Sequence, residues 1–419
     1  MPARGGWGMW LGAGLVVLAG LLLRGCRAPA ASRTPAAPVL APEAYVRWAQ
    51  ALATQGAPDA AQAVLAQGVR AHPHDAEAWR AYALALDRAH RWAAAWAAWQ
   101  QVARLAPTDS QARYEVALHQ AAAEPTAARP ALQQAAAGPY AVAARRVLRA
   151  VEDGLAVGHT TYARVQVGRA LAAVGRWDLA TWSWALAVRQ QPTYAPAWAY
   201  LGEGYHRLGW DAAARGAWRY ARALAPHDPL PALLQARAAQ QHGRPFTALA
   251  WYRRAWAAAP GQPALAAGLA VALTQAWPGH TPEAVALLTY PTRQHPQDAD
   301  AWLTLARLAL QWNLLPDPAL PALRRALALN PDHPQALALM GHAYARLGDL
   351  DTAQQFLLRA LRRDPGLAEA HLYLAWVYVD LGQVAAAQEH LAWAQRLAPA
   401  DDPVHLLARR TAQRLAASP

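Results

Sequence analysis

From residue 42 onward, apolar residues recur at helical spacing in paired stripes, and the pairs repeat every 34 residues over most of the chain. In one repeat, Leu201 and Tyr205 stand four apart on one helical face, with the small Gly202 beside them. Ala214, Trp218 and Ala221 then form a facing stripe at i, i+4, i+7. Gly209 ends the first helix, as Gly175, Gly243, Gly348 and Gly382 do in other repeats. A proline ends the second, because its ring cannot continue a helix. Pro192, Pro226 and Pro260 are 34 apart, and so are Pro331, Pro365 and Pro399. The steps from Pro260 to Pro296 and from there to Pro331 are 36 and 35, which predicts small insertions in turns. Each repeat is thus a helical hairpin. Alone it cannot bury its stripe, so neighbours must stack into a solenoid.

The marks place repeats at 42–75, 76–109, 161–194, 195–228, 229–262, 263–298, 299–333, 334–367 and 368–401. Residues 402–419 form a capping helix and tail, with Arg409, Arg410 and Arg414 suited to a solvated end. Pro107 and Pro192 are 85 apart, so the pattern breaks between them. Residues 110–160 are expected to hold a degenerate hairpin, with Pro125 and Pro130 near its turn, and an extra helix over Tyr140 to Val157. The break is either a drifted repeat or a hinge between a short N-terminal array (42–109) and the main array (161–401).

Trp198, Leu201, Gly202, Tyr205, Ala214, Trp218, Ala221 and Pro226 follow the pattern W-x2-L-G-x2-Y, A-x3-F, P, with Trp in the Phe place. Val167, Gly168, Leu171, Ala180, Trp184, Ala187 and Pro192 carry the same register, as do Met340, Gly341, Tyr344, Ala353, Leu357, Ala360 and Pro365. The chain therefore resembles the tetratricopeptide repeat (TPR) family, and the resemblance covers most residues after 41. It implies an all-α, right-handed solenoid of about nine to ten hairpins with a C-terminal capping helix. It also implies a binding scaffold rather than an enzyme, with no cofactor. In that family the first helices line a concave surface that binds peptides. Carried over, the groove candidates are Arg169, Tyr200, Glu203, His206, Arg207, Leu233, Leu234 and Arg237, then Leu303, Arg307, His342, Tyr373 and Trp376. Such a lining favours a protein or peptide partner with acidic and bulky apolar residues. It lacks the Lys/Asn set with which some family members clamp a C-terminal carboxylate.

Composition narrows the chemistry. Alanine is abundant, lysine and isoleucine are absent, and arginine supplies every fixed positive side-chain charge of a chain with net charge +12. Two accounts of that charge stay open: coding bias on solvated faces, or attraction to acidic partners. The arginines are spread along the chain and no nucleic-acid signature accompanies them, so nucleic acid is not expected as a partner. Cys26 is the single cysteine, which excludes an intrachain disulfide, CxxC chemistry and cysteine-rich zinc sites. His72, His74, His295 and His333 flank the repeat-ending prolines and read as turn residues. No HExxH, GxSxG or phosphate-loop motif occurs, so neither catalytic nor metal residues are expected. Most of the 20 tryptophans fall on packing positions: Trp79, Trp198 and Trp302 lead first helices, while Trp99, Trp184 and Trp218 fill the second stripe. Trp376 falls on a first helix, off the packing stripe.

The N-terminus adds a membrane expectation. Trp7 to Leu23 is an uncharged run of 17 residues, followed by Arg24, Arg27 and a Pro/Ala-rich linker at 28–41. Residues 1–27 read as an uncleaved signal anchor or as a lipoprotein-type signal. In the second case Leu23-Arg24-Gly25-Cys26 resembles a lipobox and Cys26 is lipidated, although Arg24 departs from its pattern. The repeats are then expected outside the cytoplasm, tethered to a membrane. The implied role is assembly or stabilisation of a membrane-associated complex. Alternatives are a biogenesis factor similar to the anchored TPR proteins of bacterial cytochrome c maturation, or a regulatory arm of an enzyme complex.

Overall fold

A computed structural model describes residues 40–399 and 402–417. The apolar N-terminal run and Cys26 lie outside the described residues. Among those described, every regular element is helical, and no helix is long and apolar enough to cross a membrane. Helices α1 (Pro42–Thr54) and α2 (Pro58–Ala71) form the first hairpin, and α3 (Ala76–Arg88) and α4 (Trp92–Leu105) the second. Then come α5 (Ser110–Ala123), a short α6 (Arg129–Ala135) and α7 (Ala141–Ala156). Hairpins resume with α8 (Thr160–Ala173) and α9 (Trp177–Gln190), α10 (Ala195–Arg207) and α11 (Asp211–Leu224), α12 (Leu230–Gln241) and α13 (Pro245–Ala258). They continue with α14 (Pro263–Ala276) and α15 (Thr281–Gln294), α16 (Ala299–Gln311) and α17 (Leu320–Leu329), α18 (Pro334–Arg346) and α19 (Leu350–Arg363), α20 (Ala368–Asp380) and α21 (Val384–Leu397). Helix α22 (Pro403–Ala417) packs on α20 and α21. The all-helical solenoid read from the 34-residue period is the fold observed.

Within a hairpin, a small residue on the first helix receives a large one from the second. An added Cβ at Gly202 would stand 2.5 Å from the Trp218 indole nitrogen, and one at Gly341 would stand 2.6 Å from Leu357. Gly168 faces Trp184 in the same way. Trp184 and Trp218 are buried, and their indole N–H groups donate to the carbonyls of Val165 and Ala199 at 3.2 and 3.0 Å. A buried indole thus keeps its one polar group satisfied. The turn between helices needs one residue in the left-handed region. Gly209 supplies it at φ 81°, and the Trp210 N–H closes the turn on the Tyr205 carbonyl at 2.8 Å. His90 and Asn313 hold the same place in two other turns without glycine, at φ 56° and 62°. The irregular repeat lengths also have locations. Helix α14 is one residue longer than α10 and its turn, Trp277 to His280, one residue longer than Leu208 to Trp210, and a widened first turn at Leu315–Ala319 precedes α17.

The break between Pro107 and Pro192 is closed by packing. Helix α9 touches both α4 and α5, so the chain returns to the N-terminal hairpins after α6, α7 and α8. An ionic cluster sits at this seam. Arg176, just before α9, pairs with Glu115 of α5, with Asp178 at 2.8 Å and with Asp87 of α3 at 3.9 Å. His119, fully buried, lies 2.9 Å from Asp87, which also accepts from the Trp99 indole at 2.9 Å. Burial alone would raise the Asp178 pKa, but the hydrogen bonds and charge of Arg176 overcome it and hold that carboxyl below its ordinary range. Burial opposes the Arg176 cation too, yet the surrounding carboxylates raise its pKa further. Aromatic rings extend the seam: Trp92 stacks on Trp182 at 6.3 Å, and His90 meets Trp210 edge-on at 5.0 Å.

Gly202→Ala gains about 1 kcal/mol of helix propensity but forces its methyl into a buried indole, an overpacking cost of about 1–3 kcal/mol. It should lower the unfolding midpoint in a thermal melt. Gly216→Ala, where an added Cβ meets nothing within 4 Å, should raise it. At the seam, Arg176→Met leaves buried carboxylates unpaired and should cost about 3 kcal/mol at neutral pH. Because the Asp178 pKa is depressed on folding, its contribution is present above the ordinary carboxylate range near pH 4 and is lost as pH falls through the folded value. Melts run from pH 7 to pH 3 should show the stability difference between wild type and Arg176→Met shrinking on the acid side.

Candidate functional site

Consecutive first helices pack on one another, from α8 through α10, α12, α14, α16, α18 and α20 to α22. Among the described residues, consecutive second helices pack on one another far less. The first helices therefore make the tighter inner layer, and their free faces line a concave groove. Arg169, Glu203, Arg237, Val271, Arg307, His342 and Trp376 occupy one equivalent position, repeat after repeat. They trace a line along the groove, and its two ends differ.

The first end, over α8 to α12, is open. A cavity of about 380 Å³ is lined by Arg169, Trp177, Tyr200, Glu203, Leu233 and Arg237, among others. The Arg169 guanidinium lies 5.5 Å over the Tyr200 ring, and that of Arg207 lies 4.5 Å over Trp177. Glu203 is largely withdrawn from water. That burial raises its pKa, while Arg237, Arg207 and Arg169 pull it back only in part. Three guanidinium groups thus act on one carboxyl, and Arg169 and Arg237 leave the lining cationic with an aromatic floor. A second cavity, of about 700 Å³, brings Arg146, Trp177 and Arg207 opposite Leu397, Pro399 and Asp402. The solenoid curves far enough to set its C-terminal end beside the break.

The other end is occupied by the chain itself. Arg307 donates to Glu369 at 2.7 Å, across two hairpins. His342 stacks on Tyr373 at 4.4 Å, and burial with the Arg346 charge pushes its pKa down to about 4. Burial pushes the Tyr373 phenol up to about 12. Both rings are neutral at neutral pH. Trp376 is not a free anchor: with Val404, Ala412 and Leu415 of α22 it packs against the cluster that holds Ala375 and Ala408, and its indole N–H reaches the Thr411 hydroxyl at 3.3 Å. Its place off the hairpin stripe is explained by contact with α22. Leu234 and Leu303 are largely buried, 3% and 8% exposed: Leu234 lines the cavity over α8 to α12 from within the packed layer, and Leu303 belongs to the hydrophobic core. His206 pairs with Asp211 at 2.9 Å, and its ring meets His242 at 4.7 Å. Neither partner was legible as a site residue, since the three come from different helices and share no motif spacing.

TPR models match residues 42–85 once, and 315–366 and 348–410 in two further segments. Those segments are tetratricopeptide repeats. Among solved structures, yeast Tom70 is 12% identical over 90% of this chain and 96% of its own, with a TM-score of 0.50, a likeness of fold alone. A structure of the APC/C hetero-tetramer Cut9-Hcn1 is 15% identical over 90% of each chain at a TM-score of 0.41. YrrB, described as a TPR protein with an unusual peptide-binding site, is 23% identical over 47% of this chain and 98% of its own, at 0.31. No curated protein matches the chain. Repeats and fold are those of protein-interaction scaffolds, and this chain presents the extended concave surface that such scaffolds use. Trp376→Ala should behave as a core truncation and cost about 3 kcal/mol. Arg237→Ala, at an exposed position, should stay within about 0.5 kcal/mol of wild type. Chemical denaturation of both variants checks the division between packing and groove residues.

Proposed function

We propose that this protein is a membrane-tethered scaffold that grips an acidic, partly apolar protein segment in the groove over α8 to α12. There it assembles or stabilises a membrane-associated complex. The observation that carries this reading is Glu203, withdrawn from water and within the electrostatic reach of Arg169, Arg207 and Arg237, two of which lie over Tyr200 and Trp177. The three guanidinium groups exceed the carboxylate on which they act by two charges. Planar, bidentate donors suit carboxylates in a ligand. The aromatic floor and Leu233 suit a bulky apolar side chain next to them. Arg307 is set aside as a contact because Glu369 already holds it. The uncharged run from Trp7 to Leu23 supports the tether, and the weak lipobox likeness around Cys26 supports export.

The test is capture of a partner from membranes carrying the full-length chain, followed by titration. Arg169→Ala, Arg207→Ala and Arg237→Ala should each weaken affinity about tenfold, or about 1.4 kcal/mol. The wild-type affinity should fall with salt, because exposed charge pairs are screened. Tyr200→Ala should weaken binding with little salt dependence. Protein lacking residues 1–27 should leave the membrane fraction and take the partner with it. Affinity that is unchanged in all three arginine variants would move the interface elsewhere on the solenoid.

A further inference from the structure

Three polar side chains from three consecutive helices converge beside the groove. His206 stands in the last turn of α10, Asp211 opens α11 and His242 caps α12. One candidate ligand atom from each lies within 4.8 Å of the other two. Nδ1 of His206 is 2.9 Å from a carboxylate oxygen of Asp211, and the two imidazoles meet edge to face at 82°. The repeat does not demand these residues. In the preceding hairpin, 34 positions earlier, Ala172, Trp177 and Leu208 stand in their places. We propose that His206, Asp211 and His242 bind one borderline divalent cation of the zinc class, and that the ion joins adjacent hairpins at the edge of the groove.

Two imidazoles and a carboxylate are a donor set that zinc-class cations take, whereas magnesium and calcium favour oxygen alone. Ligand atoms held about 2.0–2.2 Å from a tetrahedral ion stand roughly 3.3 Å from one another. The His206–Asp211 pair is already near that separation, and His242 needs a shift of about 1.5 Å at most. Asp211 and His242 sit at helix ends, so side-chain rotation covers the difference. The Asp211 side chain is 55% exposed, which leaves the outward coordination position to water. Arg215, one turn further along α11, faces Asp211 and opposes the cation from the solvent side, where its charge is screened. His206 is three residues beyond Glu203 and next to Arg207, and His242 follows Arg237 on α12. An ion here ties the ends of the two helices that present those groove residues.

The experiment titrates metal-free full-length protein with Zn2+ by calorimetry, and repeats it with His206→Ala, His242→Ala and Asp211→Asn. The wild type should take up one equivalent at this site, and its unfolding midpoint should rise with added Zn2+. Each substitution should weaken that binding at least about tenfold and remove the midpoint shift. His227→Ala, in a neighbouring turn, should leave both unchanged. Asp211→Asn keeps the shape of an exposed helix start, so it serves if a histidine variant loses its helical spectrum. Absence of saturable uptake overturns the proposal. So does Zn2+ affinity that survives in the His206→Ala/His242→Ala double variant, because the ion would then sit on other histidines. None of these outcomes depends on a partner, so the site stands or falls separately from the groove.

Discussion

The distance between the two helices of each hairpin depends on a small residue meeting a large one. Where Gly202 takes the Trp218 indole and Gly168 takes that of Trp184, there is no room for even one methyl group between the backbones. Elsewhere alanine plays the small part, as Ala83 and Ala375 do, both without exposed surface. Interiors are packed at crystal density, so a contact of this kind fixes both separation and tilt. Every larger feature inherits that tilt, because each hairpin buries its apolar stripes only by stacking on the next. The abundance of alanine makes sense in these terms. It favours helix formation and lets helices approach closely, while the tryptophans fill the space that alanine leaves.

Curvature follows from the asymmetry between the layers. First helices pack on their counterparts in neighbouring hairpins, while consecutive second helices do so far less. One register position per first helix is thereby projected onto a single line in the groove, from Arg169 to Trp376. Identical geometry at each step does not give identical chemistry. At one end the line is cationic and open, with Glu203 set among arginines. At the other, Arg307 is spent on Glu369, and α22 covers Trp376. The binding surface is therefore polarised along the solenoid by what the chain does with its own side chains.

The irregular segment shows the same economy in a polar form. The helices from α5 to α7 interrupt the stacking, and the gap is sealed by α9 returning onto α4 and α5. Arg176 holds carboxylates from three elements there, and each of those charges is tolerable away from water only because the others are present. Rings of Trp92, Trp182 and Trp210 close the remaining space. The two arrays meet through a packed seam at this point.

By itself the sequence determined the elements and the family. Hairpin boundaries are written in prolines and glycines, whose backbone restrictions act locally. The core is written in helical periodicity, which is also local. Trp184 and Trp218 were legible as buried for that reason. Tertiary structure decided everything that depends on residues far apart. Leu234 and Leu303 shared a helix face with groove candidates, but neighbouring helices buried them. Trp376 looked free until α22 was placed over it. The meeting of Glu115 with Arg176, and of His206 with Asp211 and His242, leaves no mark in any one repeat. The physical reason is the range of the forces that set each feature. Helix and turn preferences act within a few residues, whereas burial, ion pairing and ligand geometry are settled only when the stacked hairpins bring their surfaces together.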